Sequence, residues 1–159
     1  MQAEAVCDLE VLYVEPGQLL VCTEPCRMRT VLGSCISVCL YDPELRQGGM
    51  NHFMLPETAS PFETSSRYGN RAMPLLVERL ERLGSQRRQL CASVFGGARV
   101  LFTASELMHL GRRNADFAME WLEKNEITVV ASGVLGTEAR RLDFDVETGV
   151  CRERPLRGA

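Results

Sequence analysis

A cysteine and a histidine seventeen residues apart, Cys35 and His52, are the pair in this chain best placed to do covalent chemistry. Cys35 follows a small-residue turn in Leu32-Gly33-Ser34-Cys35 and leads into the apolar stretch Ile36-Ser37-Val38-Cys39-Leu40-Tyr41. His52 lies in Gly48-Gly49-Met50-Asn51-His52-Phe53-Met54-Leu55-Pro56, a second small-residue turn beside a second β-rich stretch. The chain has only two histidines, and one falls within a hairpin's length of a Gly-Ser-Cys turn, so a thiolate–imidazole couple is geometrically available. A thiol needs a base or a positive neighbour to be substantially ionised near neutral pH.

Residue type alone also fits blander roles. Cys35 reads equally as a small packed residue, and His52 as a strand histidine held by hydrogen bonds. Ser34 lacks the Gly-x-Ser-x-Gly elbow of a serine nucleophile. Gly96-Gly97 lacks the third glycine and the helix start of a dinucleotide loop. His109, just before a helix, reads as a surface or capping residue. Cys22, Cys26, Cys35 and Cys39 raise the question of a thiolate zinc site. A strand from Ile36 to Tyr41 would hold Cys35 and Cys39 roughly 13 Å apart, too far to chelate one tetrahedral ion. No Cys-x-x-Cys knuckle is present, so neither a metal nor a cofactor is expected, and Cys22, Cys39 and Cys91 read as small hydrophobes.

Composition narrows the class. A chain of 159 residues is expected to form a single domain, residues 1–159, with a core that needs no disulfide staples. Basic and acidic residues, eighteen against twenty-one, are interspersed and leave a net charge of −3, which gives no reason to expect nucleic acid or an anionic membrane as partner. No apolar run reaches membrane-spanning length, and the start Met1-Gln2-Ala3-Glu4-Ala5 is unlike a secretory signal. The expected location is cytoplasmic, where the seven cysteines stay reduced.

The elements that must position the pair follow an α+β pattern. Val11–Val14 and Leu19–Cys22 flank Glu15-Pro16-Gly17 and read as a hairpin. Strands are expected at Ile36–Tyr41 and Met50–Met54, joined by a turn that ends in Gly48-Gly49, and Glu57–Ser66 as a mobile loop above them. A helix is expected from about Ala72 to Leu83, with Pro74 in its first turn and Leu75, Leu76, Leu80 and Leu83 as its apolar stripe. Cys91–Phe95 reads as a strand ending at Gly96-Gly97. Asn114–Lys124 reads as a second helix, with Phe117, Ala118, Trp121 and Leu122 inward. Ile127–Ala131, β-branched at four of five positions, reads as a central buried strand. Leu142, Phe144 and Val146 alternate with polar residues and, with Val150–Glu153, read as a terminal hairpin with one wet face. The ends, before about Asp8 and after Arg154, read as loose.

Several of these stretches together resemble the CheD family of bacterial chemotaxis proteins. They are Leu32-Gly33-Ser34-Cys35 through Leu40-Tyr41-Asp42-Pro43, Met50-Asn51-His52-Phe53-Met54-Leu55-Pro56, Arg67-Tyr68-Gly69 with Ala72-Met73, Val94-Phe95-Gly96-Gly97-Ala98, and Gly111-Arg112-Arg113-Asn114. Asn70, where the family usually has an acidic residue, and Leu110, in place of a more usual isoleucine, depart from the pattern. The resemblance implies an α+β fold with a mixed-sheet sandwich core and two main helices, related to the cytotoxic necrotizing factor-like cysteine hydrolases. It implies a protein-glutamine deamidase acting on helices of methyl-accepting chemotaxis receptors. Some members also cleave receptor glutamate methyl esters or bind the phosphatase CheC. A non-catalytic adaptor for receptors or CheC is the alternative.

By the same resemblance Cys35 is the nucleophile, His52 its base, and Thr30 the residue that orients the imidazole. A primary amide is a poor electrophile, so its hydrolysis needs a strong nucleophile, a proton for the departing ammonia and support for an oxyanion. Backbone amides around Gly33, Ser34 and Cys35 are natural oxyanion donors, because glycine and serine leave the turn open to a ligand carbonyl.

Overall fold

Strand β4 (Ile36–Asp42) is buried at every position, and that single observation dictates the architecture around it. A strand of this kind must be covered on both faces. In the computed structural model, which describes residues 9–100 and 109–156, one face is covered by helices and the other by a second sheet. In chain order the elements are β1 (Val11–Tyr13), β2 (Leu19–Cys22), β3 (Arg27–Leu32), β4, β5 (Gln47–Asn51), α1 (Gly69–Arg82), β6 (Cys91–Gly96), α2 (Leu110–Lys124), β7 (Thr128–Val134), β8 (Arg140–Asp145) and β9 (Cys151–Pro155). A short 3₁₀ turn, Arg87–Gln89, precedes β6.

The strands form two mixed sheets, ordered β1-β3-β8-β9 and β2-β5-β4-β6-β7. The β1/β3 and β6/β7 pairs are parallel and the others antiparallel. Ile36, Val38 and Leu40 point from β4 toward α1 and α2, packing with Leu76, Leu80, Ala118 and Leu122. Cys39, Met50 and Phe95 point the other way, against Met28, Leu32, Leu142 and Phe144 of the four-stranded sheet. The result is the expected α+β sandwich with two helices on one side.

Several local expectations change. Glu15 to Gln18 does turn, closed by the Gln18 amide on the Glu15 carbonyl at 2.9 Å. It joins no hairpin, because β1 pairs with β3 in one sheet and β2 with β5 in the other. Gly48 and Gly49 lie inside β5, not in a turn. A Cβ at Gly48 would stand 3.0 Å from the Phe144 ring, and one at Gly49 would stand 2.8 Å from Leu76, so the two covering layers close on this strand where side chains are missing. The segment containing Thr128–Val134 is an exposed edge strand rather than a central one, because β7 is last in its sheet and Val130 is 61% exposed. Strand β3 was not separated from its surroundings by its apolar content. It is legible only as the alternation of Arg27, Arg29 and Val31 with buried Met28, Thr30 and Leu32.

Both helices begin earlier than their apolar stripes. Helix α1 starts at Gly69 and buries Ala72, Met73, Leu76, Val77 and Leu80, leaving Leu83 exposed. The Glu57–Ser66 loop is irregular but tied down. Arg71 donates to the carbonyls of Glu63 and Ser60, and the Asn70 amide side chain brackets both backbone groups of Thr58. Asn70 therefore anchors the loop where an acidic residue would charge the helix start. The expected loose ends lie partly outside the described residues, and β9 continues to Pro155. No helix among the described residues is long and apolar enough to cross a membrane.

Candidate active site

Gly33-Ser34-Cys35 is the link by which the chain leaves β3 in one sheet and enters β4 in the other. Its three carbonyls all point into the protein. The Gly33 carbonyl accepts from the Ala98 amide at 2.9 Å, that of Cys35 from the Gly97 amide at 2.9 Å, and that of Ser34 from the Asn114 side chain at 2.9 Å. Among the described residues, none of the amides of Gly33, Ser34 and Cys35 donates to a protein acceptor. A loop with its carbonyls fastened and its N–H groups free can hold an oxyanion. Gly96 makes the fastening possible: its φ of +110° favours glycine, and a Cβ there would overlap the Cys35 carbonyl oxygen.

His52 follows β5 and is held from both sides by the Glu15–Gln18 turn. Its amide donates to the Gln18 carbonyl at 3.1 Å and its carbonyl accepts from the Gly17 amide at 2.8 Å. This turn, which joins no hairpin, is a bracket for the histidine. Its side chain and that of Thr30 are both buried. The Thr30 hydroxyl donates to the Val14 carbonyl at 2.6 Å and stands 2.7 Å from His52 Nδ1. A hydroxyl has one proton, and here it is committed to Val14, so Thr30 Oγ1 must accept from Nδ1–H. This network places the imidazole proton on Nδ1 and leaves Nε2 with a free lone pair. Nε2 is buried and has no hydrogen-bond partner.

The structure therefore brings together Thr30 and His52 in direct contact and sets Cys35 beside them. Ile36 and Phe53 form a hydrogen-bonded pair, at 3.1 and 2.9 Å, which places Cys35 and His52 as diagonal neighbours on the face between the sheets. Such neighbours have Cβ atoms roughly 7 Å apart. The thiol makes no hydrogen bond to Nε2 in this arrangement, so side-chain rotation has to close the gap. Cys35 is half-buried.

Electrostatics make this a neutral couple at rest. Burial pushes the Cys35 thiol above its ordinary value of 9.0. Burial also lowers His52 to about 4, opposed in part by the Val14 carbonyl. An imidazole that is neutral at pH 7 is a base able to take the thiol proton during attack. Desolvation disfavours both charged forms, so ionisation of the thiol accompanies attack rather than preceding it.

Two further residues belong to this site. Asn114, fully buried on α2, donates from Nδ2 to the Ser34 carbonyl at 2.9 Å and the Met54 carbonyl at 3.0 Å. It thereby ties the cysteine loop to the segment after β5 that carries His52. Ser37 stands directly opposite His52 in the strand register, with a buried hydroxyl that has no partner. His109 sits exposed at the start of α2 and its side chain caps nothing. Tyr68 is half-buried, and the exposed Arg67 lies over its ring at 5.2 Å. Among the described residues no cluster of three histidine, cysteine or acidic side chains is arranged to hold a metal ion.

The family model for CheD, described as chemotactic sensory transduction, matches residues 54–154. The chain belongs to the CheD family. It is 43% identical over 145 residues to a protein of Anaeromyxobacter dehalogenans described as "Probable chemoreceptor glutamine deamidase CheD 1", covering 91% of this chain and 84% of that protein. A protein of the same description from Shewanella oneidensis is 42% identical, with coverage of 89% and 70%. A "Probable chemoreceptor glutamine deamidase CheD" of Trichlorobacter lovleyi is 41% identical, with coverage of 87% and 86%. The family-model match begins just past His52 and so does not include Thr30, Cys35 or His52. Among solved structures, the hypothetical protein YfiH of Bacillus licheniformis has a TM-score of 0.49 at 14% identity, covering 74% of this chain and 51% of that one.

Proposed function

We propose that this CheD-family chain is a cysteine-dependent hydrolase, a single domain acting in the cytoplasm, that converts glutamine side chains of chemoreceptor helices to glutamate. One observation carries the mechanism: the Val14–Thr30–His52 chain of hydrogen bonds leaves Nε2 as a lone-pair base beside Cys35. As Sγ attacks the amide carbon, Nε2 takes the thiol proton, and the free amides of the Gly33–Cys35 loop receive the oxyanion. The imidazolium then protonates the amine, ammonia leaves, and a thioester remains on Cys35. The low His52 pKa favours this second transfer, because a destabilised imidazolium gives up its proton readily. Water, deprotonated by the same nitrogen, opens the thioester and releases glutamate. A glutamate methyl ester would pass through the same thioester with methanol leaving, so receptor ester hydrolysis falls within this chemistry. The phosphatase CheC is a candidate partner of this chain, as the family resemblance implies.

The test is incubation with a chemoreceptor cytoplasmic domain followed by peptide mapping. Conversion of glutamine to glutamate should occur with the parent chain and vanish with Cys35→Ala. Undiminished conversion by a folded Cys35→Ala chain sinks the proposal and leaves the adaptor reading in its place.

A further inference from the structure

A concavity of about 510 Å³ lies away from the cysteine loop, on the outer face of the four-stranded sheet. Strand alternation decides what faces it. Along β3, Arg27 and Arg29 point outward, as do Arg141, Asp143 and Asp145 along β8. Register then sets Arg27 opposite Asp145 and Arg29 opposite Asp143, with Arg152 and Arg154 of β9 beside Asp143 and Arg141. Five guanidiniums against two carboxylates leave an excess of three positive charges, on a chain whose net charge is −3. Glu153 also borders the trough, but Arg140 engages it at 3.7 Å. Counting it still leaves the face basic.

The excess is not spread evenly. Asp143 is taken by Arg29 through bonds of 2.6 and 3.1 Å and approached by Arg141 at 3.4 Å. Among the described residues, Arg27, Arg152 and Arg154 form no ion pair. Arg141 and Arg154 stand directly across from each other, a like-charge pair that costs stability. That unbalanced row lies at the catalytic end of the sheet. Arg141 is opposite Val31, four residues before Cys35, a span of at most about 13 Å. Arg29 also lines a depression of about 240 Å³ shared with Thr30, Val14 and the exposed side chains of Tyr13 and Val31. The basic face is therefore continuous with the flank of the histidine site.

We infer that this arginine face docks a carboxylate-bearing stretch of the substrate protein, next to the glutamine undergoing reaction, with Arg141, Arg152 and Arg154 as its contacts. The inference rests on the deamidase reading. Guanidiniums bind carboxylates through paired hydrogen bonds, and acidic residues standing between the arginines suit spaced carboxylates better than a continuous polyanion. The reaction itself supplies such groups, since each turnover leaves a carboxylate on the protein being processed.

The test compares the full chain with its Arg152→Glu/Arg154→Glu variant on a chemoreceptor cytoplasmic domain at low and moderate salt. Both side chains are exposed on an edge strand, so the fold should survive, which circular dichroism checks. KM should rise about tenfold or more with kcat nearly unchanged, and the salt dependence seen in the parent should shrink. Alkylation of Cys35 by iodoacetamide should not change, and the double lysine variant should recover most of the loss. Parental KM and salt dependence in the glutamate variant overturn the inference. So does a variant that loses only binding to phosphatidylglycerol vesicles, which would assign the face to lipid. If the parent fails to deamidate the receptor, the enzyme reading fails. Calorimetric binding to the receptor domain then decides the docking: weaker binding by the variant sustains it, and equal binding overturns it.

Discussion

Replacing Thr30 by valine keeps the shape of the side chain and removes the one hydroxyl that serves two buried partners. In the parent, Thr30 Oγ1 accepts from His52 Nδ1 at 2.7 Å and donates to the Val14 carbonyl at 2.6 Å. If both partners stay in place without it, each loses a buried hydrogen bond, at about 1–3 kcal/mol apiece. If the imidazole turns to the Val14 carbonyl directly, one bond is recovered and the stability loss falls to about 1–2 kcal/mol, but the base is then aimed elsewhere. The kinetic effect comes from the imidazolium formed during attack. A hydrogen bond to a charged group is worth about 1.5–3 kcal/mol, which corresponds to roughly ten- to hundredfold in kcat. Thr30→Ser keeps the hydroxyl and should recover most of the rate. The assay is receptor deamidation by quantitative peptide mapping beside urea denaturation of each variant. A folded Thr30→Val chain with parental kcat would refute the tautomer argument outright.

Other expectations are independent of that one. The His52 pKa falls from 6.5 to about 4 on folding, so the unfolded chain binds the proton more readily. Stability from this group is complete above about pH 6.5 and is lost as pH drops toward 4, a total of about 3 kcal/mol. Urea midpoints measured across that range should show the loss in the parent and a smaller one in His52→Gln; parallel curves would speak against a buried neutral imidazole. Because burial raises the Cys35 thiol above 9.0, its alkylation rate in the free protein should climb through alkaline pH, and a plateau reached at neutral pH would mean a standing thiolate instead. Asn114→Ala should remove about 2–4 kcal/mol of stability by stranding the Ser34 and Met54 carbonyls, and should lower kcat more than it raises KM. Unchanged stability would show that the amide clamp holds nothing.

The proposed pair, Cys35 and His52, could be named from sequence because both members sit in short, distinctive stretches of chain. Cys35, His52 and the turn between the sheets needed no long-range information to be named. Strands β8 and β9 were equally plain, since Leu142 and Phe144 alternate with charged residues along a half-buried face. What could not be read was pairing across distance. The Glu15–Gln18 turn looks the same whether it closes a hairpin or hands the chain to another sheet. The apolar run ending in Val129, Val130 and Ala131 has the composition of a central strand, yet only its place at the sheet edge decides its exposure. Asn114 stands in the distinctive stretch Gly111-Arg112-Arg113-Asn114, but its clamping role has no local signal, because the carbonyls it holds are 60 and 80 residues away in sequence. The arginine face is visible as alternation within Arg27–Leu32 and Arg140–Asp145, but its charge excess exists only once β3, β8 and β9 lie side by side.

Mass spectrometry of the acid-quenched reaction probes the nucleophile itself. With a glutamine peptide from a chemoreceptor, the first turnover should leave an adduct on Cys35 equal to the peptide less ammonia, and hydroxylamine should release it as a thioester does. Rapid glutamate formation with no such adduct, or with one on another residue, would contradict a mechanism built on Cys35.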